Sequence, residues 1–194
     1  MQWLRQAQWG SKAMMKLPLG CVVRDLKTHD DDRGNLTEIF RQEWDAGIEP
    51  VQWNFVRSQA NVLRGVHVHV IHSDYLVCLE GTLVLALSDI RPESPTHGMA
   101  TTVTLKGSKM QAALIPPGVA HGFHFPEVSS LCYSVSHYWN TVDEIGCRWD
   151  DPALGLDWDI HDPALSPRDT TAGSAAAMTQ QYLAVRAQMS AGRE

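Results

Sequence analysis

The chain has 194 residues, 44% of them hydrophobic, and a net charge of −6 at pH 7. That length suits one domain with a sizeable core. Its basic residues form no block, which argues against nucleic-acid binding. No run approaches the roughly 18 apolar residues of a membrane span, and the N-terminus lacks the apolar core of a signal peptide. We therefore expect a soluble, cytoplasmic protein that binds neither nucleic acid nor membrane.

The predicted elements are mostly short strands. Strand patterns begin with GCVVRDLKTH at 20–29, pass through a turn at 30–35 (DDDRGN), and continue in short alternating runs to LCYSVSHYW. Many short strands separated by turns are typical of an all-β sandwich or barrel. From about residue 140 the chain becomes rich in Pro, Asp and Trp, which indicates a loop segment wrapping over the barrel. Good helix formers follow from 171.

These patterns predict a single domain, 1–194, made of an N-terminal arm (1–19), a β-barrel (20–140), a wrapping loop segment (141–170) and a C-terminal helix (171–194). The four cysteines show no CxxC pair and no regular spacing. We expect them to be reduced, buried thiols, as is usual in the cytoplasm.

The stretch RGVHVHVIHSDYLVCLEG at 64–81 is rich in side chains that can transfer a proton or bind a metal ion. His67 and His69 are two residues apart, so in a strand they project from the same face while the valines face the other way. The alternative is that His67 and His69 have no function and form the polar face of a half-exposed strand. Asp74 and Gly81 follow at set distances, and PPGVAH at 116–121 places a further histidine, His121, at the start of a later strand.

This spacing resembles the two-part cupin motif, in which HxH, an acidic residue and a glycine are followed by PxGxxH. Cupins usually carry Glu where this chain has Asp74. The resemblance implies a cupin-type β-barrel (jelly roll) with short flanking helices. It also implies a possible site for one divalent ion, held by His67, His69, Asp74 and His121, since three imidazoles and a carboxylate suit Fe, Mn, Ni or Zn.

A second resemblance covers more of the chain: it is similar to the dTDP-4-dehydrorhamnose 3,5-epimerase family. The resemblance rests on blocks in the right order: D-x-R-G at 31–34 with E-x-F at 38–40, Q-x-N at 52–54, L-R-G-x-H at 63–67, D-I-R-x-x-S-P-T at 89–96, I-P-x-G-x-A-H-G-F at 115–123, E-x-G-x-x-W-x-D-P at 144–152 and L-S-x-x-D at 165–169. It implies a homodimer that exchanges N-terminal strands. It also implies an isomerase that needs no cofactor and inverts carbons beside the ketone of a nucleotide-linked 4-keto-6-deoxyhexose, with dTDP as the expected nucleotide, in deoxysugar biosynthesis.

Proton transfer beside a ketone requires a base, a group that orients it, and an acid on the other face of the sugar. By resemblance, His67 is the base and Asp169 orients its ring, although a loop-capping role is the alternative for Asp169. Tyr133 stands where the family places its acid. The resemblance also implies that Arg64 binds the diphosphate.

Further substrate contacts are implied at four positions. Arg33 would assist Arg64, from the partner subunit in the dimer. Gln52 and Asn54 would contact the sugar or the nucleotide, and His121 would line the same pocket.

The chain departs from the family at two positions. Where the epimerases carry Gln it has His69, and where they carry a lysine that supports the enolate oxygen it has Asp74. A carboxylate repels an enolate, so the usual mechanism cannot be copied over. Either a divalent ion supplies the positive charge, which would make His67 a ligand, or a protonated His69 takes the lysine's role in a slower or narrower reaction.

Three alternatives to the epimerase therefore stay open from the sequence. One is a metal-dependent cupin enzyme with different chemistry. Another is a sugar 3,4-ketoisomerase, which the RGxHxH pattern also resembles. The third is a non-catalytic nucleotide-sugar binding module. Asp74, which stands in place of the family's lysine, is the position whose role distinguishes these alternatives from the epimerase.

Overall fold

The computed structural model describes residues 16–191, which form antiparallel strands and a C-terminal helix. Most of the N-terminal arm predicted for 1–19 lies outside the described residues. The elements are β1 Val22–Asp25, β2 Thr28–Asp31, β3 Gly34–Thr37, β4 Gln52–Ser58, β5 Val62–Val68, β6 Asp74–Glu80, β7 Thr82–Asp89, β8 Ala100–Lys106, β9 Gln111–Ile115, β10 Val119–Phe125, β11 Ser129–Val135, β12 Ile145–Gly146, α1 Pro167–Thr170 and α2 Ala175–Ala191.

Ten of these strands form two five-stranded sheets. One sheet has the order β1-β9-β6-β11-β4 and the other β12-β5-β10-β7-β8, while β2 and β3 form a separate hairpin around the predicted DDDRGN turn. The main apolar core takes residues from both sheets, such as Leu76 and Leu131 from the first, and Leu85 and Phe125 from the second. Alternating side chains of both sheets are therefore buried between them, as the sequence pattern predicted.

The segment 141–170 crosses the second sheet and adds a short strand to it. Ile145 pairs with Val68 and Gly146 pairs with His67, so β12 lies along the end of β5. This pairing places Asp143 and Glu144 beside the histidine-rich stretch, a consequence that the loop prediction did not contain. Assignment of all 194 residues to one domain stays a prediction.

The C-terminal helix is present but begins at Ala175, four residues later than predicted. The Ser174 side chain accepts a hydrogen bond from the Ala177 backbone N–H at 3.2 Å, which is how serine caps a helix start. Helix α2 buries Ala175, Met178 and Tyr182 against a second apolar cluster that includes Val66 and Val68 of β5. Within residues 16–191, no helix is both long and apolar enough to cross a membrane.

A bulge in β5 decides which side chains face the gap between the sheets. His121 pairs with His67 and Phe123 pairs with Arg64, so two steps along β10 correspond to three along β5. The additional residue reverses the alternation, and Arg64 therefore shares a face with His67. Gly65 lies in the bulge with φ of 112°, a backbone conformation that L-residues with a Cβ rarely adopt.

Replacing Gly65 by alanine is expected to destabilise the fold by roughly 2–5 kcal/mol, since strain at positive φ adds to overpacking. A Cβ there would lie 2.8 Å from Gly122 Cα and 2.9 Å from His121 O, which are backbone atoms. Urea unfolding measures the loss. Gly34→Ala is the control because Gly34 has φ of 130° but open space around it. Equal losses in the two variants would contradict the steric argument.

Candidate active site

A cavity opens between the two sheets, with walls from β4, β6 and β11 on one side and β5 and β10 on the other. Six of the side chains predicted from the sequence line it: Asn54, Arg64, His69, Asp74, His121 and Tyr133. Apolar side chains, among them Phe123 and Leu131, complete the walls. A mostly apolar cleft with a few convergent polar groups is the usual form of a small-molecule site.

His67 and Asp169 form a hydrogen-bonded pair at the edge of this cavity. His67 Nε2 lies 2.8 Å from Asp169 Oδ1. A carboxylate can only accept, so the ring donates Nε2–H and leaves Nδ1 as the basic nitrogen. The His67 side chain is 20% exposed and that of Asp169 is 6% exposed. The pair predicted from the resemblance is thus formed, although its two residues are 102 positions apart.

Asp169 is positioned by the short helix α1. Ser166 caps this helix: its hydroxyl accepts from the Asp169 backbone N–H and donates to Asp169 Oδ2 at 2.8 Å. Burial tends to raise the pKa of Asp169, but hydrogen bonds from His67, Ser166 and the Gly65 backbone outweigh it and hold this pKa below its usual range. Asp169 is therefore ionised at neutral pH, and its two oxygens contact the His67 ring and the capping residue Ser166.

Two further charged residues contact His67. Arg168 Nη2 lies over the edge of the ring, 3.0 Å from His67 Nδ1 and 2.5 Å from His67 Nε2, and Arg168 Nη1 donates to Glu144 Oε2 at 2.7 Å. Glu144 also lines the cavity and lies 4.0 Å from His67 Nδ1. The basic nitrogen of His67 is thus covered by a half-exposed guanidinium that Glu144 holds in place.

The loop from His69 to Ser73 is held by one buried carboxylate. Asp143 is fully buried and accepts hydrogen bonds from the backbone N–H groups of Val70, Ile71 and His72. It also contacts His72 Nδ1 at 2.8 Å, and its own backbone oxygen lies 2.8 Å from His69 Nδ1. Asp143 therefore sets the positions of both imidazoles.

Three histidines surround Asp74 at the floor of the cavity. The Nε2 atoms of His69, His72 and His121 lie 3.7, 3.8 and 3.7 Å from Asp74 Oδ2. Of the metal ligands predicted from the sequence, His69, Asp74 and His121 are brought together, whereas His67 turns to Asp169. His72 stands in the remaining position of the cluster.

Burial governs the charges in this cluster. Burial, with the nearby His72, lowers the pKa of His69 to about 3, and burial also lowers that of His121 well below its usual value. Burial lowers the pKa of His72 too, but the adjacent carboxylates of Asp143 and Asp74 outweigh it and leave a raised value. Burial raises the pKa of Asp74 to about 7. The environment of His69 thus favours its neutral form, so it does not support the protonated His69 considered above.

The first sheet contributes polar groups through alternation along β4. Asn54 faces the cavity, and Gln52 Nε2 donates to Asn54 Oδ1 at 3.0 Å, while Trp53 and Phe55 point outward. Tyr133 of β11 pairs with Asn54 and lines the same wall. Burial raises the pKa of Tyr133, so it stays protonated at neutral pH.

Two sequence blocks lie away from the cavity in this chain. Arg33 is on the β2–β3 hairpin, 89% exposed and paired with Asp31. In D-I-R-x-x-S-P-T, Asp89 accepts hydrogen bonds from the side chains of Arg91, Ser94 and Thr96 and thereby closes a turn. The polar residues of the block at 89–96 are therefore explained by the turn that they stabilise.

Sequence reasoning missed His72, Asp143, Glu144 and Arg168. His72 lies in the stretch singled out above, but strand alternation would have pointed it away from His69. Glu144 and Arg168 fall inside quoted blocks, where only their neighbours received roles. Nothing in the sequence pattern marks Asp143 as buried.

The two-sheet barrel, with a histidine–carboxylate pair beside an inter-sheet cavity, defines a cupin-type protein with a site suited to acid–base chemistry. Comparison with known proteins specifies the family. The family described as dTDP-4-dehydrorhamnose 3,5-epimerase matches residues 16–176, and the chain belongs to this family. The dTDP-4-dehydrorhamnose 3,5-epimerase of Shigella flexneri is 31% identical over 157 residues, which cover 76% of this chain and 87% of that protein.

Solved structures agree with this assignment and confirm the predicted cupin-type fold. The RmlC epimerase of Legionella pneumophila, solved with dTDP-4-keto-L-rhamnose, matches with a TM-score of 0.75 and 31% identity, over 81% of this chain and 91% of that one. ChmJ, a 3'-monoepimerase of Streptomyces bikiniensis solved with dTDP-quinovose, matches with a TM-score of 0.76 and 28% identity, over 90% of this chain and all of that one.

Proposed function

We propose that this protein is an epimerase of deoxysugar biosynthesis that inverts a carbon beside the ketone of a dTDP-linked 4-keto-6-deoxyhexose. The observation that carries the proposal is the His67–Asp169 pair at 2.8 Å beside a cavity whose opposite wall holds Tyr133. Relatives in the same family are named for this reaction, and two of the solved ones contain dTDP-sugars.

In the proposed reaction, His67 Nδ1 removes the proton from the carbon beside the ketone. Asp169 stabilises the imidazolium that forms, because its ionised carboxylate accepts from Nε2. Arg168 Nη2 lies within 3.0 Å of both ring nitrogens and covers Nδ1, so the substrate has to displace this guanidinium. Tyr133 then returns a proton from the opposite wall, which inverts the carbon.

The diphosphate of the substrate needs a positively charged side chain in the cavity. Arg64 lines the cavity on the same face as His67, and we assign it to the diphosphate, which a guanidinium can bind through two hydrogen bonds. Asn54, supported by Gln52, is assigned to the sugar or the nucleotide.

Incubation with a dTDP-linked 4-keto-6-deoxyhexose in D2O tests the proposal. NMR should show solvent deuterium at C3, C5 or both, together with inverted product. Movement of the ketone to C3 would instead identify a ketoisomerase. Binding of the sugar nucleotide without exchange would identify a binding module. Either result would overturn the proposed reaction.

Tyr133→Phe is expected to separate the two proton transfers. Deprotonation by His67 does not need the phenol, so deuterium exchange should persist, whereas net inversion should fall about 100-fold, the usual effect of losing a general acid. Exchange and inversion are followed in one NMR experiment. Inversion at the wild-type rate would remove Tyr133 from the mechanism.

We also propose that the protein is a homodimer in the cytoplasm. Edge strand β4 leaves Trp53 and Phe55 43% and 63% exposed, which is unusual for such large apolar side chains, and Val51 beside them is also exposed. In the dimer, Arg33 would reach the partner's cavity. All four cysteines are free thiols, which supports the cytoplasm because that compartment is reducing. Sedimentation of the full chain measures its mass, and a monomer at all concentrations would contradict the dimer.

A further inference from the structure

The floor of the cavity presents four ligand atoms directed at one another. The Nε2 atoms of His69, His72 and His121 come within 3.8 Å of a single oxygen, Asp74 Oδ2. The ligand atoms of His69, His72 and Asp74 all lie within 4.8 Å of one another. All four side chains are buried, so bulk water does not separate them.

Hydrogen bonds determine which nitrogen of each ring carries the proton. His69 Nδ1 lies 2.8 Å from the Asp143 backbone oxygen and His121 Nδ1 lies 3.1 Å from that of Val119. His72 Nδ1 lies 2.8 Å from Asp143 Oδ2. Because the two backbone oxygens only accept, His69 and His121 donate through Nδ1 and each presents the lone pair of Nε2 to Asp74. His72 Nδ1 makes no hydrogen bond to residues 16–191, and its closeness to the Asp143 carboxylate favours the same tautomer. Metal-binding histidines are held in the same way, with the non-ligating N–H bonded to a carbonyl or a carboxylate.

This arrangement lacks a donor at its centre. Asp74 Oδ2 receives no hydrogen bond from any residue between 16 and 191. In that part of the chain, no lysine or arginine forms an ion pair with Asp74 either, and the basic side chains within 4 Å of it are the three imidazoles. A buried carboxylate facing three nitrogen lone pairs is costly unless a cation joins them.

We propose that His69, His72, Asp74 and His121 bind one divalent transition-metal ion at the floor of the cavity. Three imidazole nitrogens and one carboxylate oxygen suit Zn²⁺, Fe²⁺, Mn²⁺ or Co²⁺ better than Mg²⁺ or Ca²⁺, which prefer oxygen ligands. Ligand atoms around a tetrahedral ion lie roughly 3.4 Å apart. The separations of the three nitrogens from Asp74 Oδ2, 3.7 to 3.8 Å, need to close by a few tenths of an ångström. His121 lies outside the group whose ligand atoms are all within 4.8 Å of one another, so its ring has to move further to complete the set.

The ligand set differs from the one predicted from the sequence by one residue, and the difference matters chemically. His72 replaces His67, which stays hydrogen-bonded to Asp169 and remains available as a base. A bound ion would also bring positive charge to the place where the epimerases carry lysine. That last consequence rests on the proposed function, whereas the binding site itself does not.

Metal binding is measured on the full chain without substrate, so its failure is distinct from failure of the proposed function. The protein is purified without chelator and without nickel resin, and its metal content is determined by elemental analysis. Co²⁺ is then titrated into metal-depleted protein, and the visible absorption of the bound ion is followed. We expect about one equivalent of metal and a saturable Co²⁺ spectrum.

The variants are chosen to keep the surrounding hydrogen bonds. His72→Asn places an amide nitrogen close to the position of Nδ1, so a polar group stays beside Asp143 while Nε2 is removed. This variant and His121→Asn should each weaken Co²⁺ binding about 100-fold or more, since each loses a direct ligand where loss of a second-shell partner already costs 10–100-fold. His67→Gln should bind Co²⁺ as tightly as the wild type. So should His124→Asn, on the same strand as His121 but bonded to Asn61.

Two outcomes would overturn the proposal. One is wild-type protein without metal and without a saturable Co²⁺ spectrum. The other is loss of Co²⁺ binding in His67→Gln with retention in His72→Asn, which would favour the ligand set predicted from the sequence. Circular dichroism shows whether each variant is folded, and only folded variants are compared. Because His72 and His121 are tested separately, the result does not depend on one variant.

Discussion

His67→Gln is expected to lower the rate of solvent-deuterium exchange into the sugar by about 10³–10⁴-fold, at the upper end of the effect of removing a general base. The glutamine amide can still donate to Asp169 from near the position of Nε2, so the local packing is kept. The basic Nδ1 is lost. Exchange is measured by NMR under saturating dTDP-sugar, and dTDP binding is measured separately to show that the cavity is intact.

Asp169→Asn should produce a loss of similar size for a different reason. An asparagine cannot accept the Nε2–H bond as strongly or stabilise the imidazolium, and its amide can reverse the ring tautomer. His124→Gln, a change at a histidine outside the cavity, is the control and should exchange as the wild type does. Exchange within tenfold of the wild type in either His67→Gln or Asp169→Asn would exclude His67 as the catalytic base with Asp169 as its partner.

Asp143→Asn is expected to destabilise the fold by about 3–5 kcal/mol, the usual cost of breaking a buried ionic network by removing one partner. Asp143 accepts from three consecutive backbone N–H groups and lies 2.8 Å from His72 Nδ1, and an amide has only one oxygen to replace its two. Urea unfolding at pH 7 measures the loss. Asp150→Asn, at an exposed pair with Arg148, should change stability by less than about 1 kcal/mol.

The same variant should show a defined pH dependence. Burial raises the pKa of Asp143, but the adjacent His72 ring and the hydrogen bond from the Val70 backbone outweigh it and hold this pKa below its ordinary value of 3.8. A lowered folded-state pKa contributes stability that is present above 3.8 and is lost as the pH falls below it. The difference between wild type and Asp143→Asn should therefore shrink under acid. A difference that stays constant from pH 7 to pH 3 would contradict an ionised Asp143.

Much of the barrel was predictable because burial leaves a period of two in the sequence. The alternating runs from VQWNFVRS to LCYSVSHYW correspond to β4 through β11, and Gly and Pro residues mark their turns. The start of α2 was misplaced by four residues because Thr171 ends α1 and only Ser174, three residues further on, caps α2. The strand β12 was missed since two residues are too few to show a period.

The candidate site was predictable only in its residue types. The family blocks named His67, Asp169, Tyr133 and Arg64, but strict alternation would have placed Arg64 on the face opposite His67. The bulge at Gly65 reverses that alternation. Such an irregularity depends on the close approach of Gly122 on the neighbouring strand, and a contact of that kind leaves no period in the sequence.

The all-β class, the family and the residue types of the stretch 64–81 could be read from the amino-acid order, because these depend on composition, local spacing and ordered blocks. The division of the histidines between two positions depends on the folded chain. His67 meets a carboxylate 102 residues away, while His69, His72 and His121 converge on Asp74. The physical reason is that a loop tied down by the buried Asp143 reorients His69 and His72, and long-range contacts set that loop.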